Sequence, residues 1–341
     1  MRDSSNNMAA SLQDIARMVG VSISTVSRAL HRPEMVDAST RERINVAVNA
    51  LGYVPQGVGR ALVSRHTHSV GAVVPRIGAS AFAQTIEALR QGLGKANYTL
   101  LLAQPSIKEH ADLRPLRTLI ERGVDGIVLL GNDCPPQWLD LIEKNGVPVA
   151  TIWADASNAL PGAIGFDNYL AGKQVADHLL SLGHREFAFI SGHLASNQRA
   201  RQRYQGLLET IAASGGQLSR KLIVEADYGF ADGYQAANCL LKRKQSFSAL
   251  ICGNDYLALG AIACLREQGL LIPKDMSIIG FNNSEFSAFI DPPLTTVNFP
   301  SIEIGTLAAE TLLAAINTQG PMPPAQMLPT QLIQRQSTGP V

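Results

Sequence analysis

The chain is short of several things, and each shortage removes a class of function. It has only four cysteines, Cys134, Cys239, Cys252 and Cys264, widely spaced and without a CxxC pair. Neither a disulfide framework nor a zinc site is expected, and the four read as small buried apolar residues of a reducing compartment. No apolar run reaches the roughly 18 residues of a membrane span, and none of signal length opens the chain. The expectation is a soluble, cytoplasmic protein with no membrane partner. The seven histidines lack metal-ligand spacing, and His184 in "LGHREF" reads as a structural residue of a helix-to-strand turn. There is no G-x-G-x-x-G after a first strand, no Walker loop and no G-x-S-x-G elbow, since "GVGRAL" lacks the third glycine. An enzyme is therefore disfavoured, and no cofactor or metal is expected.

Charge is scarce as well, with a net balance of +1 at pH 7, so no global basicity advertises nucleic acid. Its distribution is uneven. Residues 1–66 contain no lysine and set eight arginines against five carboxylates, a balance of +3 that leaves −2 for the remainder. A solvated amino-terminal face would explain that modest asymmetry equally well.

What is present is a chain of 341 residues with 46 % hydrophobic residues, enough for full cores in two or three domains at roughly 150 residues each. Residues 1–10 form a polar tail that is expected to be disordered. Residues 11–56 carry three short helical patterns. Ser11 and Asp14 open the first, which buries Leu12, Ile15, Ala16 and Val19 before Gly20 ends it. Ser22 caps a second with Val26, Ala29 and Leu30 on one side, and Ser39 or Thr40 caps a third with Ile44, Val48 and Leu51. Gly, Pro and polar residues then break the pattern across residues 52–68, with a hinge helix or linker expected at 57–66.

From Ser69 the texture becomes ten short apolar runs separated by helical stretches: "SVGAVVP", "YTLLLAQ", "GIVLL", "VPVATIW", "AIGF", "EFAFISG", "KLIVEA", "ALICG", "MSIIGF" and "TTVNF". Buried runs alternating with helices predict parallel sheets covered on both faces. Ten runs exceed one doubly wound sheet, so two α/β lobes with a cleft between them are expected.

Helix, glycine-containing turn and helix is a helix-turn-helix pattern, whose second helix lies in the DNA major groove. The face carrying Ser24, Thr25, Ser27 and Arg28 suits that role: short hydroxyls allow close approach and can donate to phosphates, and an arginine can reach a guanine edge bidentately. An ordinary capped helix of a small bundle would show the same spacing.

The stretch "SLQDIARMVGVSISTVSRALHRPEMVDASTRERINVAVNALGYVPQGVGRAL" resembles the headpiece of the LacI/GalR family of transcriptional regulators nearly position by position. The match runs through Asp14, Ile15, Ala16, Gly20, Val21, Ser22, Thr25, Val26, Ser27, Arg28, Thr40, Arg41, Leu51, Tyr53 and Pro55. Val19, Asp37 and Gln56 depart from the family pattern. The resemblance implies that Ile23, Ser24 and Arg28 read base edges, Ile23 favouring a thymine methyl. It also implies that Ser22, Thr25 and Ser27 serve phosphates or packing, and that Tyr53 belongs to the DNA-binding set. "QGVGRALVS" is similar to the family's hinge helix, in which Leu62 would wedge into a central minor-groove step with Arg60 beside it. Gly57 and Gly59 weaken such a helix by about 1 kcal/mol each, and a plain linker remains the alternative.

The likeness continues to about Thr311. It implies an N-terminal all-α helix-turn-helix headpiece followed by an α/β periplasmic-binding-protein-like core of two doubly wound lobes over residues 67–341. Lobe one is expected at about 67–165 and 296–325, and lobe two at about 166–295 and 326–341. Ligand would lie between the carboxyl ends of the sheets.

Candidate effector residues are Phe82, Asp155, Phe166, Arg199, Arg203, Tyr228, Asn254, Asp255 and Asn282. Arg203 matches the family's effector-gripping arginine. Arg199 lies one helical turn away on the same face, and Arg201 points elsewhere. Arg199 could equally be solvated, Trp153 and Phe166 could be core, and Asp155 could be a solvated loop carboxylate. Asp167 and Asn168 could simply cap a helix. Asn282 stands where many members have Asp. The partners implied are double-stranded operator DNA, a second copy of the chain in a homodimer, and a small effector such as a sugar, a sugar acid or a phosphorylated derivative.

Overall fold

A computed structural model describes residues 10–54, 66–74, 81–105 and 112–341. They fall into two compact units, one ending at Thr67 and one running from His68 to Val341.

In the first unit α1 (Leu12–Val19), α2 (Ile23–His31) and α3 (Ala38–Leu51) bury one small core of Ile15, Ala16, Val19, Val26, Ala29, Ile44 and Ala47. Ser11 and Asp14 form a capping box at the start of α1: the Asp14 amide donates to Ser11 Oγ at 3.3 Å and the Ser11 amide to Asp14 Oδ2 at 3.0 Å. These bonds satisfy amides that have no partner inside the helix. Gly20, with φ of +74°, ends the helix, and Arg43 donates to the Val19 carbonyl at 2.5 Å. The cap of α3 differs from expectation. Asp37, not Ser39 or Thr40, precedes it and accepts the Thr40 amide at 2.9 Å, while Ser39 Oγ donates to the same carboxylate at 2.7 Å. A carboxylate placed there also meets the positive end of the helix dipole.

The second unit contains two six-stranded sheets. In the first the order is β11 (Gln326–Met327), β5 (Ala163–Phe166), β4 (Val149–Asp155), β3 (Gly126–Leu130), β1 (Ser69–Val73) and β2 (Thr99–Ala103). In the second it is β12 (Gln331–Ile333), β10 (Thr295–Asn298), β9 (Ser277–Phe281), β8 (Ala249–Cys252), β6 (Phe187–Ser191) and β7 (Ile223–Glu225). All ten apolar runs form strands, and every pairing is parallel except β10 with β12. Parallel neighbours need crossover helices. The first lobe uses α4 (Ala81–Lys95), α5 (Arg114–Glu121) and α6 (Pro136–Lys144), and the second α7 (Asn168–Ser181), α8 (Gln198–Ala213), α9 (Phe230–Lys242) and α10 (Asp255–Glu267). The long α11 (Ser301–Thr318) returns to pack on α4 and β4 of the first lobe.

The chain passes between lobes after β5, after β10 and after β11. The expected lobe boundaries therefore move. Phe166 ends a strand of the first sheet, 296–298 pair with β9 and β12 of the second, and 326–327 pair with β5 of the first. A boundary placed at the change of hydrophobic texture misses this, because the crossing segments are themselves strand ends.

Cys252 and Cys264 are buried, but Cys134 is half-buried and Cys239 is exposed, so only two of the four are interior apolar groups. His184 is buried, with Nδ1 2.7 Å from Ser248 Oγ and Nε2 3.0 Å from Ser277 Oγ and 3.1 Å from the Gly339 carbonyl. It ties the carboxyl-terminal segment to the second sheet. Between α7 and α8 the backbones touch: a β-carbon on Gly172 would meet the Arg203 carbonyl, and one on Gly206 the Tyr169 carbonyl. Glycine at both positions lets the two helices lie together without intervening side chains.

Candidate functional site

The first unit presents α2 as its polar face. Ser22 is the N-cap, taking the Thr25 amide at 3.1 Å, with its Oγ 2.8 Å from both Ser24 Oγ and Thr25 Oγ1. Those bonds fix the first turn and leave one short, hydroxyl-rich surface. Ser22, Ser24 and Arg28 are exposed, Thr25 and Ser27 are half-buried, and Ile23 is 47 % exposed. Among the described residues the Arg28 side chain has no hydrogen-bond or ion-pair partner. Val26 and Ala29 hold the opposite side of α2 in the core. Tyr53 packs against that core instead of standing free. Arg60 and Leu62 lie outside the described residues.

The second unit gathers most of the remaining candidates at the carboxyl ends of its strands. Arg199 and Arg203 stand on α8, four residues apart and thus on one face. Asn197 caps that helix, accepting the Ala200 amide at 3.2 Å. Arg203 is 6 % exposed, and its guanidinium lies 5.2 Å from the Phe281 ring centre and 5.7 Å from that of Phe299. Burial pushes it below the ordinary arginine value, Tyr228 opposes that shift and Arg199 adds to it. Arg199 reaches into the first lobe, its guanidinium 5.9 Å from the Phe82 ring centre. A β-carbon on Gly131, just past β3, would fall on Arg199 Nη1. Arg201 turns away, donating to the Leu194 and Ala195 carbonyls at 2.8 and 3.0 Å.

Other candidates occupy the walls. Tyr228 Oη accepts from Asn197 Nδ2 at 3.2 Å and fills the space left by Gly192. Asn254 donates to the Tyr228 carbonyl at 3.2 Å and caps α10 through the Leu257 amide at 2.8 Å, so both its polar groups are engaged. Asn282 is half-buried with φ of +104°, and its amide donates to the Val297 carbonyl at 2.8 Å. Phe82 is half-buried and meets Trp153 edge-on at 4.9 Å.

Three expected effector residues are turned away from any ligand. Phe166 is wholly buried, stacked on Phe299 at 4.2 Å. Asp155 is 2 % exposed, and its carboxylate is taken up by the Ser157 amide and hydroxyl at 3.1 and 2.6 Å and by the Asn168 amide and side chain at 3.2 and 2.8 Å. Asp255 is fully buried, accepting from Thr296 Oγ1 and the Ser284 amide, both at 2.6 Å. Burial pushes its carboxyl up to about 7 against those two bonds. Asp155 is satisfied by neighbouring Ser157 and by Asn168, whereas the partners of Asp255 come from 29 and 41 residues along the chain. Trp153 is likewise interior: a bulge in β4 places it at φ of +54°, and Nε1 donates to Thr85 Oγ1 at 2.9 Å. Asp167 caps α7 through the Leu170 amide at 2.9 Å.

Sequence reasoning missed the contacts that join the lobes at the mouth of the cleft. The Gln198 amide donates to Asp133 Oδ2 at 3.3 Å, and its side chain to Ser157 Oγ at 3.1 Å and the Ser157 carbonyl at 3.3 Å. A signal existed, since "GNDCPP" follows directly on the apolar run of β3, where open α/β sheets place their functional loops. Gly131 has φ of +75°, so Gly131→Ala carries both backbone strain and a clash with Arg199. The variant should lower the melting temperature by a few degrees and weaken any ligand held by Arg199 by more than that strain accounts for. Calorimetric titration beside a melting curve checks both.

Comparison with known proteins places these features among regulators. Residues 11–56 match the family described as bacterial regulatory proteins, lacI family, and residues 176–338 a periplasmic binding protein-like domain. An HTH-type transcriptional repressor PurR of Glaesserella parasuis serovar 5 is 31 % identical, covering 95 % of each chain. The structure of a transcriptional regulator CelR–cellobiose complex is 28 % identical with a TM-score of 0.70, covering 96 % of this chain and 99 % of that one. A lac repressor bound to ONPG in its repressed state is 25 % identical with a TM-score of 0.84, covering 97 % and 100 %.

Proposed function

Since the chain belongs to the lacI family of bacterial regulatory proteins and is a ligand-responsive transcriptional repressor, we propose that it acts in the cytoplasm on genes of carbohydrate or sugar-acid metabolism. It binds a pseudo-palindromic operator as a homodimer and is gated by a small effector held between its two lobes. The observation that carries the reading is the exposed face of α2, where Ile23, Ser24 and the unpartnered side chain of Arg28 stand on a helix anchored from behind. In this reading α2 lies in the major groove, Arg28 meets a guanine edge and Ile23 a thymine methyl. Ser22, Thr25 and Ser27 serve the phosphates. One such unit offers few contacts, and a two-fold pair reading two half-sites supplies the remainder.

The carbohydrate assignment draws on the cellobiose named for one related regulator, and on polar side chains concentrated where an open α/β sheet receives its ligand. Effector binding changes operator affinity through the lobes. A coupling of about 1 to 3 kcal/mol is typical, and it acts equally in the reverse direction.

The test is selection of duplexes from a random pool by the full chain at two salt concentrations. Enrichment of a two-fold symmetric sequence whose binding weakens steeply with salt supports the reading. Salt-sensitive binding with no sequence preference sinks it. On the resemblance of "QGVGRALVS" to a hinge helix, Leu62→Ala should also cost at least tenfold in operator affinity while leaving effector affinity off DNA unchanged. Gel-shift and calorimetric titrations read the two quantities separately.

A further inference from the structure

We infer that the effector is an anion whose carboxylate or phosphate oxygens complete the coordination of Arg203 and Arg199. This inference rests on the interlobe reading above and specifies what kind of molecule the cleft takes. Two guanidinium groups lie together between the lobes, and among the described residues neither forms an ion pair. Arg203 is more than nine-tenths buried with its Nε lacking any hydrogen-bond partner, and Arg199 Nη1 is buried and unpartnered as well.

Tyr228 bonds to Arg203 and Asp155 adds attraction, but among the described residues no carboxylate pairs with either guanidinium, and each nearby carboxylate has another partner. Asp155 is taken up by Ser157 and Asn168, Asp255 by Thr296 and Ser284, and Asp133 directs Oδ2 at the Gln198 amide. Asn282 and Asn283 supply no charge. A buried cation without a counter-ion is costly, and cation–π contact with Phe281 and Phe299 offsets only part of that cost. The unpartnered Arg203 Nε and Arg199 Nη1 match the several acceptors of one oxyanion, which guanidinium groups bind strongly.

Arg199 adds a dependence on closure. It belongs to the second lobe, yet Phe82 and Gly131 of the first lobe cover it. An oxyanion gripped by both arginines is therefore enclosed only when the lobes meet.

The experiment is thermal-shift and calorimetric titration of the full chain at constant ionic strength with inorganic phosphate, gluconate, glucose 6-phosphate, glucose and hypoxanthine. The same titrations are run on Arg199→Gln, Arg203→Gln and the double variant. Expected is saturable stabilisation by at least one of the three anions, weakened about thirtyfold or more in Arg203→Gln and absent in the double variant. Gluconate against glucose 6-phosphate separates the two anion sources. An anion response identical in wild type and double variant overturns the inference.

Tight binding of glucose or hypoxanthine that the anions do not compete away also overturns it, while leaving the interlobe reading intact. Arg203→Met supplies a ligand-free measurement. Removing an uncompensated buried charge should raise the melting temperature by about 3 °C or more. A fall of similar size would show the guanidinium to be satisfied already, and the inference would fail.

Discussion

Arg28→Ala should lower operator affinity by about 2 to 6 kcal/mol, because a dimer loses the contact in both half-sites and each bidentate base contact is worth about 1 to 3 kcal/mol. That is from roughly thirtyfold to more than ten-thousandfold in dissociation constant. The loss should also be selective. A side chain that reads a base relaxes preference at one position of each half-site, whereas one that only neutralises phosphate weakens all sequences alike and reduces the salt slope by about one. Folding should be untouched, since the Arg28 side chain is exposed and forms no bond within the first unit. Mobility shifts against a set of single-base operator variants measure the position, and a melting curve confirms the fold. A uniform, threefold loss across all variants would reassign Arg28 to the phosphates.

The second large effect concerns Asp255. Its carboxyl sits fully buried where α10 meets β10 and the turn after β9, and burial raises it from 3.8 to about 7. The folded chain therefore holds a proton that the unfolded chain releases. The stability so gained is complete below about pH 4 and declines as the pH rises through 7, by about 3 kcal/mol between pH 5 and 8. His178 and His184 act in the opposite sense. Both are lowered from 6.5, chiefly by burial, so their contribution is lost as pH falls.

Asp255→Asn isolates the carboxyl. The amide oxygen can take the Ser284 amide, and the amide nitrogen can donate to Thr296 once that hydroxyl turns. Wild type should lose several degrees of melting temperature between pH 5 and 7, and the variant should lose far less. Parallel slopes in the two proteins would show that Asp255 is ionised throughout.

Much of the fold was legible because it follows from patterns local to the chain. Ten apolar runs became ten strands, and Ser11, Gly20 and Ser22 bounded the first two helices where their chemistry places them. Gln326–Met327 and Gln331–Ile333 escaped notice, since two- and three-residue strands carry no periodicity to read. The candidate site was legible in part. Arg199 and Arg203 could be paired from their spacing on one helix, but the rings beneath Arg203 come from Phe281 and Phe299, some eighty residues and more along the chain. The enclosure of Asp155 and Asp255 depends in the same way on partners from other elements. A carboxylate at a strand end looks the same in the sequence whether it faces a ligand or is sealed by Thr296.

The glycine contact between α7 and α8 has a structural consequence. With backbones touching at Gly172 and Gly206, little side-chain packing separates the pair, and α8 alone is about 24 Å long at 1.5 Å per residue. Its first turns hold both arginines and the Gln198 tie to the opposite lobe, while α7 begins at Asn168, which is bonded to Asp155. The helix pair that carries both guanidinium groups is thus the same one that bonds to Asp155 of the first lobe.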